Sequence, residues 1–174
     1  LFRSAKELLL NRPISMKIIS FINQKGGVGK TTSTLNIGAG LAKLKKNVLL
    51  IDFDPQANLT DGLGIEEDDL QYSIYEILKG EKKFNNVIIN TNGLSILPAQ
   101  VTLAKVESEF GNLPNHNYIL KDALNGLKGF DYVLIDCPPS LGFLTLNALF
   151  ASTDVYIPVL PEYFAFKGIR KTLD

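Results

Sequence analysis

Short, nearly unbroken apolar runs alternate along this chain with longer segments whose apolar positions recur every three or four residues, a pattern that predicts strands joined by crossover helices around a parallel sheet. The strands are expected at Lys17 to Asn23, Asn47 to Phe53, Tyr132 to Asp136 and Val155 to Leu160. Their Val, Ile and Leu content, without polar alternation, predicts burial on both faces. Helical periodicity follows each of them, at Thr31 to Lys45, Ser73 to Leu78, Leu141 to Ala151 and Phe164 to Leu173. The middle of the chain is less regular. There "NNVIINTNGLSILPA" reads as two short strands around an Asn-Gly turn, and helices are expected near Val101 to Phe110 and Tyr118 to Leu127. The acidic run Glu66 to Asp69 reads as a solvated loop.

Nothing divides these elements into separate units, so one domain is expected over residues 17–174, preceded by a leader or arm at 1–16. The final helical pattern reaches residue 174 with no capping signal, and the expectation is a domain whose C-terminal part lies beyond it. The overall class is α/β: a mostly parallel twisted sheet flanked by helices.

Composition narrows the partners. Lys plus Arg (18) balance Asp plus Glu (18), so binding to nucleic acid has to come from a local patch rather than a global field. Lys167, Arg170 and Lys171 are candidates for the start of such a patch, although three charges on a surface helix read more simply as a solvated face. A single cysteine excludes a disulfide framework and multi-cysteine metal sites. No apolar run is long enough to span a bilayer, and a cytoplasmic location is expected.

The strand-to-helix junction "FINQKGGVGKTTSTLN" carries the candidate chemistry. Gly26, Gly27 and Gly29 allow backbone N–H groups to converge on phosphate oxygens, and the helix that follows adds its dipole. Lys30 then reaches the β and γ phosphates, the Thr31 hydroxyl ligates Mg²⁺, and Thr32 contacts an inner phosphate. The strict pattern G-x-x-x-x-G-K-[ST] nevertheless fails, because Gln24 stands where its first glycine belongs and an additional lysine, Lys25, precedes the glycine pair. A dinucleotide fingerprint is the rival, since Gly27-Val28-Gly29 begins G-x-G-x-x-G, but Thr32 takes the place of its third glycine.

Two carboxylate stations follow. "LLIDFDPQANLT" sets Asp52 and Asp54 at the carboxyl edge of the sheet, and period-two alternation predicts both on the same side, facing the nucleotide. Four apolar-leaning residues run into Asp136, the arrangement that aims a Walker B carboxylate at magnesium. Cys137 reads as a small buried hydrophobe. The stiff turn Pro138-Pro139-Ser140 is a candidate sensor of the γ-phosphate, and no role is assigned to His116.

"KGGVGKTT", "IDFDPQANLT", "YVLIDCPPSLGFLTLNAL" and "IPVLPEYFAFKGI", in that order, resemble the ParA and Soj partition ATPases, within the wider group whose deviant Walker A loop is shared with MinD. Asp54-Pro55-Gln56 and Pro138-Pro139-Ser140 place the resemblance nearer to ParA and Soj than to MinD. The nitrogenase iron protein is a weaker match, since only Cys137 is available for its shared cluster. The resemblance implies ATP and Mg²⁺ as cofactors, with a phosphate loop of Lys25, Gly26, Gly27, Val28, Gly29, Lys30, Thr31 and Thr32. It implies an ATP-dependent homodimer in which Lys25 crosses to the partner's nucleotide. Asp54 would help position the attacking water and touch the metal through water, and Asp136 would be the Walker B carboxylate. It further implies a slow ATPase switch in plasmid or chromosome partition, stimulated by a ParB-type centromere-binding protein and binding DNA non-specifically on the nucleoid, without stable membrane association. The alternatives are a MinD-like membrane-positioning ATPase and a non-catalytic nucleotide-binding fragment.

Overall fold

The computed structural model describes residues 16–161. The expected helix at Phe164 to Leu173, the basic residues Lys167, Arg170 and Lys171, and the leader as far as residue 15 lie outside the described residues.

Among the described residues six strands form one sheet: β1 (Lys17–Phe21), β2 (Val48–Asp52), β3 (Ile89–Thr91), β4 (Leu94–Leu97), β5 (Tyr132–Asp136) and β6 (Asp154–Tyr156). Their order is β3-β4-β2-β5-β1-β6, and every pairing is parallel except β3 with β4. The antiparallel pair is the predicted hairpin. Asn92 and Gly93 at its tip both take positive φ (51° and 77°), which matches the twist of the strands they join.

The central strands are buried on both faces. In β2, Leu49 and Ile51 point to one side, Val48 and Leu50 to the other, and none is more than 5% exposed. Helix α1 (Lys30–Lys43) covers one side, where Leu35, Ala39 and Ala42 pack near Phe21, Leu50 and Leu134. It lies unusually close: a Cβ placed on Gly38 would stand 2.7 Å from Leu50 Cδ2. The opposite side is filled by α3 (Ile74–Leu78), α5 (Ile119–Leu124) and α6 (Phe143–Ala151), whose Ile74, Ile77, Leu120, Leu124, Ala148 and Ala151 join Leu49, Ile51, Val133 and Ile135 in one core. Helix α3 starts with a complete capping box, in which Ser73 Oγ accepts from Tyr75 N–H and Glu76 accepts from Ser73 N–H.

Several elements differ from the sequence expectation. Strand β1 ends at Phe21 because the Asn23 side chain turns inward, donating to the Pro158 carbonyl at 2.8 Å and accepting from Lys25 N–H at 2.9 Å. Strand β6 is short and half exposed, with Val155 at 40% and Tyr156 at 47%, so its predicted burial on both faces is wrong for the described fold. Among the described residues it is the outermost strand and pairs only with β1, and Pro158 lacks the N–H to extend the ladder. The helix expected over Val101 to Phe110 divides into a 3-10 turn, Val101–Lys105, and α4, Val106–Phe110. Leu103 and Val106, three apart, are both fully buried, the spacing a three-residue turn aligns. Helix α5 is shorter than Tyr118 to Leu127 because Asn125 is extended and Gly126 takes a φ of 99°. Within the acidic run Glu67 is not merely solvated: its carboxylate accepts from Val101 N–H at 3.2 Å.

Candidate nucleotide site

Asp52 and Asp136 occupy paired positions at the ends of β2 and β5, and Phe21, at the end of β1, pairs with Asp136 on the other side. The chain leaves β1 and turns into α1, while β5 separates β1 from β2, so the loop after β1 lies where the sheet's connections diverge. Ligands bind at such a point in open α/β sheets.

The loop between β1 and α1 folds as its glycines permit. Gly27 and Gly29 take φ of 71° and 89°, left-handed values that a side chain resists, and Gly29 is the N-cap of α1. Its carbonyl accepts from Ser33 N–H at 2.8 Å, so the helix begins at Lys30. A cavity of about 450 Å³ opens above this turn, lined by Gly26, Gly27, Gly29, Lys30, Thr31, Thr32, Asp54, Gln56, Asn58 and Pro139. The Lys30 side chain is largely buried (7% exposed). Val28 is also buried, so it contributes backbone rather than side chain to the loop. Lys25 stands exposed at the entrance.

The three aspartates separate into different environments. Asp54 lines the cavity and accepts from Gln56 N–H at 3.0 Å, which folds its own loop back on it. Asp136 is buried beneath the glycine loop (1% exposed), and its Oδ1 has no hydrogen-bond partner. Burial pushes its carboxyl up to about 7, partly opposed by the Thr31 hydroxyl beside it and the Lys30 ammonium. Asp52 does not face a nucleotide as expected, and that reading is corrected. Its Oδ2 accepts from both the backbone N–H (2.9 Å) and the hydroxyl (2.8 Å) of Thr60, and its Oδ1 accepts from Asp54 N–H at 3.2 Å. Burial raises Asp52 to about 6 against the pull of those bonds.

Gln56 and Asn58 fall within the IDFDPQANLT segment but are given no role by the sequence, although both line the cavity. Gln56 sits on the loop before the short helix α2, Asn58–Gly62, and Asn58 is the first residue of that helix, which lacks the length to show periodicity. Of the Pro138-Pro139-Ser140 turn, Pro139 reaches the cavity, while the Ser140 carbonyl is held by the Thr145 hydroxyl at 2.6 Å. Cys137 is buried as expected, and burial pushes its thiol far above the usual range. His116 serves the fold: its carbonyl accepts from Asn147 Nδ2 at 3.0 Å and its ring stacks on Phe143.

Comparison with known proteins agrees with this geometry. The AAA domain family model matches residues 16–174. The sporulation initiation inhibitor protein Soj of Bacillus subtilis is 48% identical over 161 residues, covering 91% of this chain and 64% of Soj. The chain thus spans less than two thirds of that relative's length. Among solved structures, cobyrinic acid a,c-diamide synthase from Mycobacterium smegmatis with bound ATP analog and magnesium superposes with a TM-score of 0.87 at 42% identity, over 91% of this chain and 64% of that one. A putative plasmid partition protein from Borrelia burgdorferi bound to AMPPNP gives a TM-score of 0.80 at 35% identity, covering 91% and 67%. With a family model matched over almost the whole sequence and a deviant phosphate loop on a parallel sheet, the chain belongs to the AAA domain family, in its ParA and Soj branch.

Proposed function

We propose that this chain binds ATP with magnesium in the glycine-loop cavity and hydrolyses it slowly, as the nucleotide switch of a plasmid or chromosome partition system. One observation carries the reading: a buried lysine, two threonines and an aspartate converge on one cavity above a glycine turn, with a second aspartate buried beneath it. The names of Soj and of the Borrelia partition protein support the partition role, and the ATP analog and magnesium of the Mycobacterium structure support the ligands.

The residues fit a magnesium ion. Asp136 offers a buried carboxylate oxygen with no other partner, and the Thr31 hydroxyl lies beside it. Among the described residues no group of three or more His, Cys, Asp or Glu forms a protein cage, so phosphate and water must supply the remaining ligands, as magnesium prefers. Magnesium bound there neutralises charge that builds on the phosphate oxygens. Residues Gly26, Gly27, Val28 and Gly29 cradle phosphate through backbone N–H groups, Lys30 contacts the outer phosphates, and Thr32 contacts an inner one. Asp54 orients the attacking water and reaches the metal through water.

Lys25, exposed and adjacent to the lining residue Gly26, serves in this reading the nucleotide of a second copy, which makes hydrolysis a property of an ATP-bound homodimer. A ParB-type protein that stimulates hydrolysis and non-specific DNA on the nucleoid complete the partition reading in the cytoplasm. Stable membrane association is not part of this reading. The test is equilibrium binding of ATP with and without magnesium, followed by turnover across a range of protein concentrations. Failure to bind ATP would sink the proposal, and turnover per protein independent of concentration would remove the dimer from it.

A further inference from the structure

The loop from Phe53 to Leu59 carries three cavity residues, Asp54, Gln56 and Asn58, yet its own ends are tied outside the cavity. Both ends meet at one carboxylate. At the start, Asp54 N–H donates to Asp52 Oδ1; at the finish, the Thr60 N–H and hydroxyl both donate to Asp52 Oδ2. The Thr60 hydroxyl also accepts from Ala99 N–H at 3.1 Å, so its donor and an acceptor are both used. Ala99 follows β4 and is itself anchored, since the adjacent Pro98 carbonyl accepts from Ile74 N–H at 2.9 Å at the start of α3. Asp52, Thr60 and Ala99 are each 1% exposed or less, so water does not replace these bonds when they are broken.

The geometry is therefore that of a clasp. Asp52 belongs to the sheet, whereas the loop between its two oxygens is shaped by a left-handed turn at Ala57 (φ 54°), by the Ala57 N–H bond to the Asp54 carbonyl, by the Gln56 N–H bond to Asp54 Oδ1 and, at its start, by the Phe53 N–H bond to the Asp136 carbonyl. The hydroxyl of Thr60 joins the loop to both β2 and the segment after β4.

We propose that Thr60 is a positioning residue for hydrolysis: its hydroxyl, fixed between the Asp52 carboxylate and the Ala99 amide, sets where the loop holds Asp54 in the nucleotide cavity. Thr60 is buried and does not line the cavity, so its effect is exerted through Asp54. The claim rests on the ATPase reading given above. Orientation of a reacting group accounts for large rate factors, and displacement by about 1 Å costs roughly 100-fold. Nucleotide affinity, by contrast, is carried by the glycine loop, Lys30 and Thr31, which the clasp does not touch.

The experiment compares Thr60→Val, which keeps the shape and removes the hydroxyl, with Thr60→Ser, which keeps the hydroxyl. Both are made in the full polypeptide. Affinity for a non-hydrolysable ATP analogue, kcat for ATP with magnesium, and amide hydrogen exchange over residues 54–60 and at Ala99 are measured. Thr60→Val is expected to lower kcat roughly 10- to 100-fold with affinity unchanged, and to speed exchange at those amides while 133–136 in β5 stay protected. Thr60→Ser is expected to retain kcat and protection. The proposal is overturned if Thr60→Val turns over at the wild-type rate, loses affinity in proportion to kcat, or does not fold, or if Thr60→Ser is equally impaired. Wild type that neither binds nor hydrolyses ATP is a failure of the function reading instead. The exchange result then decides alone, and uniform loosening or no change at residues 54–60 overturns the clasp.

Discussion

The carboxyl groups of Asp52 and Asp136 lie at directly paired positions of neighbouring strands, both buried and both raised, to about 6 and about 7, chiefly by burial. Unfolded, each returns to an ordinary value near 3.8. Between about pH 4 and 7 the folded chain therefore holds protons that the unfolded chain has released, so stability is greatest below that window and falls as pH rises through it. The nucleotide-free protein is expected to lose roughly 2 to 4 kcal/mol between pH 4 and 8 from these two groups, a span set by about 1.4 kcal/mol for each tenfold change in proton affinity and discounted for partial relaxation. Denaturant midpoints across that range check the sign. Asp136→Asn is expected to flatten the profile, and a midpoint that climbs with pH would contradict the assignment.

The two lysines of the loop are expected to fail differently. Lys30 is buried within the cavity wall, so Lys30→Ala should abolish detectable ATP binding. Lys25 is exposed at the mouth, so Lys25→Ala should bind ATP normally and lose the rise of turnover with protein concentration. Cations supplied by a second subunit contribute about 10³ to 10⁵ in rate where they are used. Titration calorimetry with the two variants, read beside steady-state turnover, separates the roles; full turnover by Lys25→Ala would end the two-subunit mechanism.

Asp54 lines the cavity while its carboxylate also braces its own loop through Gln56 N–H. Asp54→Ala should keep nucleotide binding, stop hydrolysis and accumulate ATP-bound dimer. Size-exclusion chromatography with light scattering after incubation with ATP and magnesium reads the dimer. A variant that hydrolyses ATP quickly and stays monomeric would remove Asp54 from the reaction.

Asn147 is a structural counterpart on α6. Its buried amide accepts from Leu120 N–H and donates to the carbonyls of His116 and Phe143, joining α5, α6 and the turn that leads into α5. Asn147→Leu preserves bulk but strands those groups, and stability should drop by about 2 to 4 kcal/mol, from the unpaired buried polar groups left behind. Chemical denaturation measures it, and ATP affinity should hold in the folded fraction.

The phosphate loop and the three central strands are legible in the sequence because their physics is local. Glycines at a strand end, a lysine-threonine pair opening a helix and an unbroken apolar run are each explained by nearby residues. The apolar run Tyr132 to Asp136 coincides with β5, and the Asn-Gly turn marks its hairpin. What escapes depends on partners distant in sequence. Asp52 looks equivalent to Asp54, and only the return of Thr60 to its carboxylate shows that it is occupied. Asn147 lies in an apolar helix where one amide carries no signal until His116 and Leu120 arrive beside it. Gln56 and Asn58 reach the cavity from a loop and the first residue of a single-turn helix, too short for a period to register.

Three consecutive strands of one ladder, β2, β5 and β1, end at the same level, with Asp52, Asp136 and Phe21 side by side. The loops that grow from them are thus mounted on a common rigid edge. Sequence change within those loops can alter how long a nucleotide is retained, or which partner hastens its loss, while the spacing of their roots is inherited unchanged. Timing is left free to evolve separately from the placement of charge, as the proposed nucleotide switch would require.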